Sequence, residues 1–426
     1  MKKLSLILGV FLIAIGLDAQ SVPTPGPKQS VPIFLQNATV HYGNGKVEAN
    51  ANILIADGKI VSAGLAKVDP NEAEVIDLTG KHVYPGLIAP VSNLGLIEIG
   101  AVRSTHDNAE AGSINPNARA IVSYNTDSRV TPTVRSNGVL LAQVMPSGGL
   151  ISGLSSVVQL DAWHWEDAAY LMDDGMRMNW PSQRIWTASW APPREEQLKK
   201  INDRMKRLNQ TFLDAKAYLI AKEAGKVKKT DLRWEAMMPF LKGEKQIYVF
   251  ADSEKDIRSA LEFTRRHSLK IVLVGGADAF RLTGMLKEMK VPVVLRKPHS
   301  LPRTEDDGID VPYKTAIILH EAGVLTCLSI DNFWNYRNLP FQAGQLAAMG
   351  MDKETALQLI TSNTAKILGV EKRTGTIAAG FDANIIVSTG DLLDMRTSNI
   401  ELALIQGRKM DLGNKQKDLY KKFGGQ

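Results

Sequence analysis

The hydrophobic period of the chain changes twice. From Ile33, short apolar runs alternate with polar positions and stop at Asn44-Gly45, Asp57-Gly58 and Thr79-Gly80, the pattern of short strands joined by tight hairpin turns. The same texture returns in TGTIAAGFDANIIVSTGD (374–391) and IELALIQGRKM (400–410). Two β-rich ends around a different middle predict one small β-sandwich domain built from residues 33–85 and 374–410. The middle opens with a long helical stretch from Glu195 to Glu223. It then alternates apolar strands (QIYVF, KIVLVG, VPVVL, VLTCLSID) with amphipathic helices (SEKDIRSALEFTRRH, ADAFRLTGMLKEM, YKTAIILHEAG). Strands apolar throughout, separated by helices, form a parallel sheet with right-handed crossovers. The expected fold class is therefore α/β, with a (β/α)8 TIM-like barrel over residues 86–373. An open doubly wound sheet is the alternative, weakened because no Gly-rich phosphate loop follows the first strand. DDGMRMNW and PHSLPRTEDDGID interrupt the rhythm and read as irregular loop insertions over the barrel mouth.

The two ends add a compartment and a charge. Lys2 and Lys3 precede an apolar run from Leu4 to Leu17, and Ala19 offers a small residue before Gln20. A basic start, a short apolar stretch and a small-residue exit describe a secretory signal peptide over 1–19. The polar, Pro-containing segment that follows, a linker over 20–32, argues against a membrane anchor, and no later run is long enough to cross a bilayer. The mature chain is expected to be exported, periplasmic or extracellular. Cys327 is the sole cysteine, so no intramolecular disulfide forms, and its apolar surroundings point to a buried structural thiol. The formal charge of +6 comes mostly from the leader and from a basic tail over 411–426 with Arg408 and Lys409 before it. The rest is nearly neutral, and no nucleic-acid motif or nucleic-acid partner is indicated.

Three segments resemble the amidohydrolase superfamily, closest to its imidazolonepropionase-like branch. They are DLTGKHVYPGLIAPVSNLG (77–95), VMPSGGLISGLSSVVQLDAW (144–163), and GMDKETALQLITSNTAKILGV (350–370) followed by GTIAAGFDANIIV. The resemblance implies a hydrolase of carbon–nitrogen bonds in non-peptide or peptide-like amides, using zinc or another divalent metal at the C-terminal ends of barrel strands. It also places the ligand positions. The His-x-His pair that would end strand one falls on Val91 and Asn93. A later histidine falls on Phe250-Ala251, another on Gly275-Gly276, and a bridging lysine on Gln159. Only the strand-eight aspartate keeps its type, as Asp331. Valine offers no donor and a neutral amide is a poor zinc ligand, so no metal ligand is assigned.

No two of the seven histidines lie at ligand spacing. His106, beside Asp107 and Glu110, and His164, beside Glu166 and Asp167, are the candidates for a novel acid/base pair with Asp331; for His164, held between Trp163 and Trp165, a packed aromatic role is the alternative. Ser147, Gly148 and Gly149 offer backbone donors to a substrate, or simply tight turns. Asn332 and Arg337 lie in the polar-aromatic loop after the last strand, where ligand contact and structural capping are equally compatible. Two readings follow. One is a hydrolase working through a rearranged site. The other is a pseudoenzyme that binds a small molecule, or acts as partner subunit of an active relative, with a homo-oligomer also open.

Overall fold

The structure is a computed structural model and describes residues 25–66 and 72–424. The signal peptide over 1–19 and the start of the linker lie outside the described residues.

The chain first lays down β1 (Ile33–His41), β2 (Val47–Ala56), β3 (Lys59–Gly64), β4 (Glu74–Asp77) and β5 (His82–Pro85). Eight strands then build the barrel: β6 (Leu87–Ser92), β7 (Val139–Val144), β8 (Ile151–Gln159), β9 (Ala169–Asn179), β10 (Gln246–Ala251), β11 (Ile271–Gly275), β12 (Val293–Arg296) and β13 (Thr326–Ser329). Finally β14 (Ile385–Ser388), β15 (Ile400–Ile405) and β16 (Arg408–Lys409) rejoin the first sheet, in the order β16-β15-β14-β5-β1-β2-β3 with β4 also on β1. Both chain ends thus share one domain. Its inward residues, among them Leu35, Val40, Ile53, Ile55, Ile60, Val83, Ile385 and Leu404, meet in a core separate from that of the barrel.

Local chemistry explains most turns. Asp57 (φ +51°) and Gly58 (φ +75°) occupy the left-handed region that a two-residue hairpin between β2 and β3 requires. Thr79-Gly80 does something else. β4 and β5 both pair parallel to β1, at Ile33–Gln36 and at Thr39–Val40, so this turn steps the chain along one neighbour instead of reversing it.

The barrel departs from a uniform (β/α)8 pattern in one strand. β6 and β7 are parallel and β9 through β13 are parallel, but β8 pairs antiparallel with both β7 and β9. Residues 139–179 are therefore an antiparallel meander, with only a short helix at Trp165–Ala168 and no long crossover helix. DDGMRMNW, expected as a loop insertion, forms the second half of β9. Its Asp-Asp-Gly start hides the strand, yet Met176 and Met178 are fully buried and a Cβ on Gly175 would lie 2.2 Å from the Tyr248 ring. Residues 297–310 carry no strand or helix, as expected of a loop.

No strand ladder joins β13 to β6, and other groups close that seam. Ser329 Oγ and the Tyr336 hydroxyl lie 3.0 and 2.7 Å from the Pro90 carbonyl, while Ile88 N–H and Leu328 N–H donate to the carbonyls of Ile360 and Leu359, both at 3.0 Å. Cys327 is buried in β13 and its thiol is pushed far up by desolvation, as a structural cysteine should be.

At the far end of the barrel, below β8, Asp161 is almost fully buried and ion-paired with both Arg135 and Arg408, the latter at 2.9 Å. It also accepts from the Gly26 N–H at 2.9 Å. One carboxylate therefore ties barrel, β-domain and N-terminal strap together. Removing it strands two guanidinium groups, and breaking a buried pair costs about 3–5 kcal/mol. Asp161→Ala is expected to lose stability of that order in urea denaturation; a loss under about 1 kcal/mol would show that the pair is not a tie.

Candidate functional site

Strand direction decides which side chains reach the C-terminal mouth. β6 delivers Val91 and then Asn93, the β7–β8 hairpin delivers Ser147, β9 Arg177, β10 Phe250 and β12 Arg296. The turn after β13 delivers Asp331 and Asn332. These residues, with Ile330, Phe333 and Tyr336, line a pocket of about 140 Å³.

The pocket floor is aromatic and its walls are cationic. The Arg177 guanidinium lies 3.8 Å from the Phe250 ring centroid and that of Arg296 lies 6.0 Å away. Arg296 donates through Nε (2.8 Å) and Nη2 to one oxygen of Asp331. Arg177 has no such partner. Its Nε donates to Asn179 Oδ1 at 3.0 Å and its Nη1 to the Pro146 carbonyl at 3.3 Å, and among the described residues no carboxylate lies within ion-pair distance. Burial, then the charge of Arg296, lowers its pKa to about 10, so it is still protonated at neutral pH.

Two mouth residues hold unfavourable backbone conformations. Val91 sits at φ +57° and Asn332 at φ +69°. A β-branched residue in the left-handed region costs on the order of 1–3 kcal/mol and persists only where its surroundings impose it. Here Val91 N–H donates to Gln143 Oε1 at 3.1 Å, and the Tyr336 hydroxyl lies 3.0 Å from the Val91 carbonyl. Asn332 turns its side chain back to accept from Trp334 N–H at 3.2 Å, capping the short helix that follows.

Gln143 leads into a polar layer inside the barrel. Its Nε2 donates to Asp174 Oδ2 at 2.6 Å and to Ser155 Oγ at 3.2 Å, and Tyr248 donates to the same carboxylate at 3.3 Å. The other Asp174 oxygen is buried without a partner. Desolvation outweighs these hydrogen bonds and raises the Asp174 pKa to about 6.

The residues present do not fit a catalytic divalent ion. The positions that the resemblance implies for ligands do stand at strand ends, but they carry Val91, Asn93, Phe250 and Gly275. A Cβ at Gly275 would lie 2.4 Å from Asp252 Oδ1, so an imidazole there would have to displace that carboxyl. Asp331 is already engaged by Arg296, and a metal ion would face two guanidinium groups. Among the described residues no three His, Cys, Asp or Glu side chains are grouped to hold a metal.

The structure divides the other candidate residues. Asp331, Asn332 and Ser147 line the pocket. Gly148 and Gly149 form the hairpin behind it, at φ +89° and +63°, with their carbonyls accepting from Asn179. The hairpin's flanking N–H groups are in use, Ser147 bonding Asn108 O at 2.6 Å and Leu150 bonding Ser113 O at 2.7 Å. Arg337 lies on the 333–338 turn outside the pocket. His106 also stays outside, its Nε2 3.2 Å from the Ile99 carbonyl. His164 is at the opposite end of the barrel, because β8 runs backwards, and it caps the 165–168 helix. Gln159 shares that end, its Oε1 accepting from Arg408 at 2.9 Å. Arg177, Arg296 and Tyr336 were missed by sequence reasoning. The alternation of Met176, Arg177 and Met178 was the available signal, masked by the preceding Asp-Asp-Gly.

Comparison with known proteins is consistent throughout. The family model described as "Amidohydrolase family" matches residues 342–408. The amidohydrolase tasK of Hapsidospora irregularis is 21% identical over 371 residues, which are 78% of this chain; the match spans only 37% of that longer protein. An amidohydrolase from Thermotoga maritima MSB8 superimposes with a TM-score of 0.76 at 26% identity, covering 88% of this chain and 99% of its own. A putative prolidase from Bifidobacterium longum shares the fold with a TM-score of 0.55 at 16% identity, over 94% and 100% of the two chains.

The raised pKa of Asp174 sets a pH dependence. The folded state binds this proton more tightly than the unfolded chain, so stability falls as pH rises from about 4 to about 6, by about 3 kcal/mol in all. Asp174→Asn is expected to flatten that slope in urea unfolding at pH 4.5 and 7; an identical slope in both proteins would contradict the assignment.

Proposed function

We propose that this chain, which belongs to the amidohydrolase superfamily, binds a small molecule at the C-terminal mouth of its barrel without a resident metal ion. Family and fold make it a superfamily hydrolase by descent, and superfamily chemistry on carbon–nitrogen bonds is the background against which the site is read. The observation that carries the proposal is the pair Arg177 and Arg296 at the mouth. Two guanidinium groups replace a cluster of imidazoles, and the one retained aspartate is spent on Arg296. Cations in place of ligands invert what the mouth attracts.

The rearranged-hydrolase reading gains less support. Asp331 would need a proton partner at the pocket, and neither His106 nor His164 lines it. A binding protein of this kind needs only the preformed, partly apolar pocket and a few fixed polar groups. The basic, apolar leader and the small residue Ala19 support export of the mature chain, where such a protein would meet ligands outside the cytoplasm.

Elemental analysis of the purified chain tests this reading. Expected are substoichiometric zinc, manganese and iron after dialysis, and no metal-dependent rise in melting temperature. One tightly held ion per chain would refute it.

A further inference from the structure

We infer that the ligand of the mouth is a carboxylate monoanion, gripped by Arg177; this rests on the metal-free reading above and specifies it. The starting point is an unbalanced charge. Arg177 is partly buried, yet among the described residues its protein acceptors are a neutral amide oxygen and a backbone carbonyl. A buried cation without a counter-ion is costly, and proteins normally pair it or hold it for a ligand.

The orientation of the group is fixed in advance. Nε and Nη1 are tethered to Asn179 and Pro146, Phe250 stacks beneath the plane, and Nη2 meets no protein acceptor among the described residues. A guanidinium so held leaves its Nη1–Nη2 edge for a planar, two-oxygen acceptor, with little entropy left to lose.

Charge and size narrow the class. Arg296 is neutralised by Asp331, which leaves the pocket with one net positive charge from Arg177. Asp252, the other acid near Arg296, does not line the pocket. One surplus charge matches a monoanion better than a phosphate dianion. The pocket's 140 Å³ is close to the cavity of about 150 Å³ that admits benzene, so it accepts a small carboxylic acid or the carboxylate end of a longer molecule. Asn93, Ser147 and Asn332 line the pocket with neutral polar side chains, so they add no further charge to it.

Calorimetric titration of the full chain, on a sample whose metal content has been measured, separates the outcomes. The probes are N-acetylglycine, its neutral isostere N-acetylglycinamide, and inorganic phosphate. N-acetylglycine is expected to bind and the amide to bind at least tenfold more weakly. Arg177→Gln should lose at least tenfold in affinity, and Arg177→Lys, which keeps the charge without the fork, should fall between; the second variant decides the matter if the first does not fold. Equal binding of acid and amide, preference for phosphate, or undiminished binding by either folded variant would overturn the inference. A metal-free protein that ignores N-acetylglycine overturns this inference alone. A stoichiometric metal overturns the reading beneath it, whatever the titration shows.

Discussion

In a barrel of this kind a side chain reaches the chemical mouth only if its strand points there, and one reversed strand governs much of what this protein displays. Because β8 runs antiparallel to both neighbours, its exit lies at the far end of the barrel. That sends Gln159, Asp161 and His164 towards the β-domain, where Asp161 locks Arg135 and Arg408. The reversal also turns the Ser147–Gly149 hairpin to the mouth and brings β9 back with Arg177 aimed into the pocket. The meander therefore supplies a structural carboxylate at one end and an unpaired cation at the other.

The mouth is correspondingly a region of stored cost. Val91 and Asn332 hold left-handed backbone, Arg177 is a partly buried charge with no acid beside it among the described residues, and Asp174 below them keeps one oxygen unpaired. Each costs folding free energy, and two of them are joined by hydrogen bonds: Asp174 to Gln143 and Gln143 to the Val91 N–H, with the Val91 carbonyl accepting from Tyr336. Strain and unmet polarity concentrated at one end of the barrel are what the proposed ligand site rests on.

Much of this was legible in the residues themselves. The alternating strands at both ends and the βα rhythm from Gln246 onward carry the architecture, because burial on one face or on two writes a distinct period into the chain. The absence of imidazoles at the strand ends was also legible, since Val91, Asn93, Phe250 and Gly275 stand where the resemblance expects donors. Strand direction was not. An antiparallel strand buried on both faces, such as Ile151–Gln159, has the same apolar texture as a parallel one, so His164 and Gln159 were assigned to the mouth without that reversal in view. Nor does a lone arginine between two methionines announce that its charge will find no acid in the fold.

The sign of the charge at the mouth can be read directly from crystals. Anomalous difference maps should be collected from one crystal soaked in sodium bromide and another in zinc chloride. A bromide peak is expected beside the Arg177 guanidinium, over the edge of Phe250, and no zinc between Asn93 and Asp331. Zinc bound at that point, with no bromide beside Arg177, would contradict it.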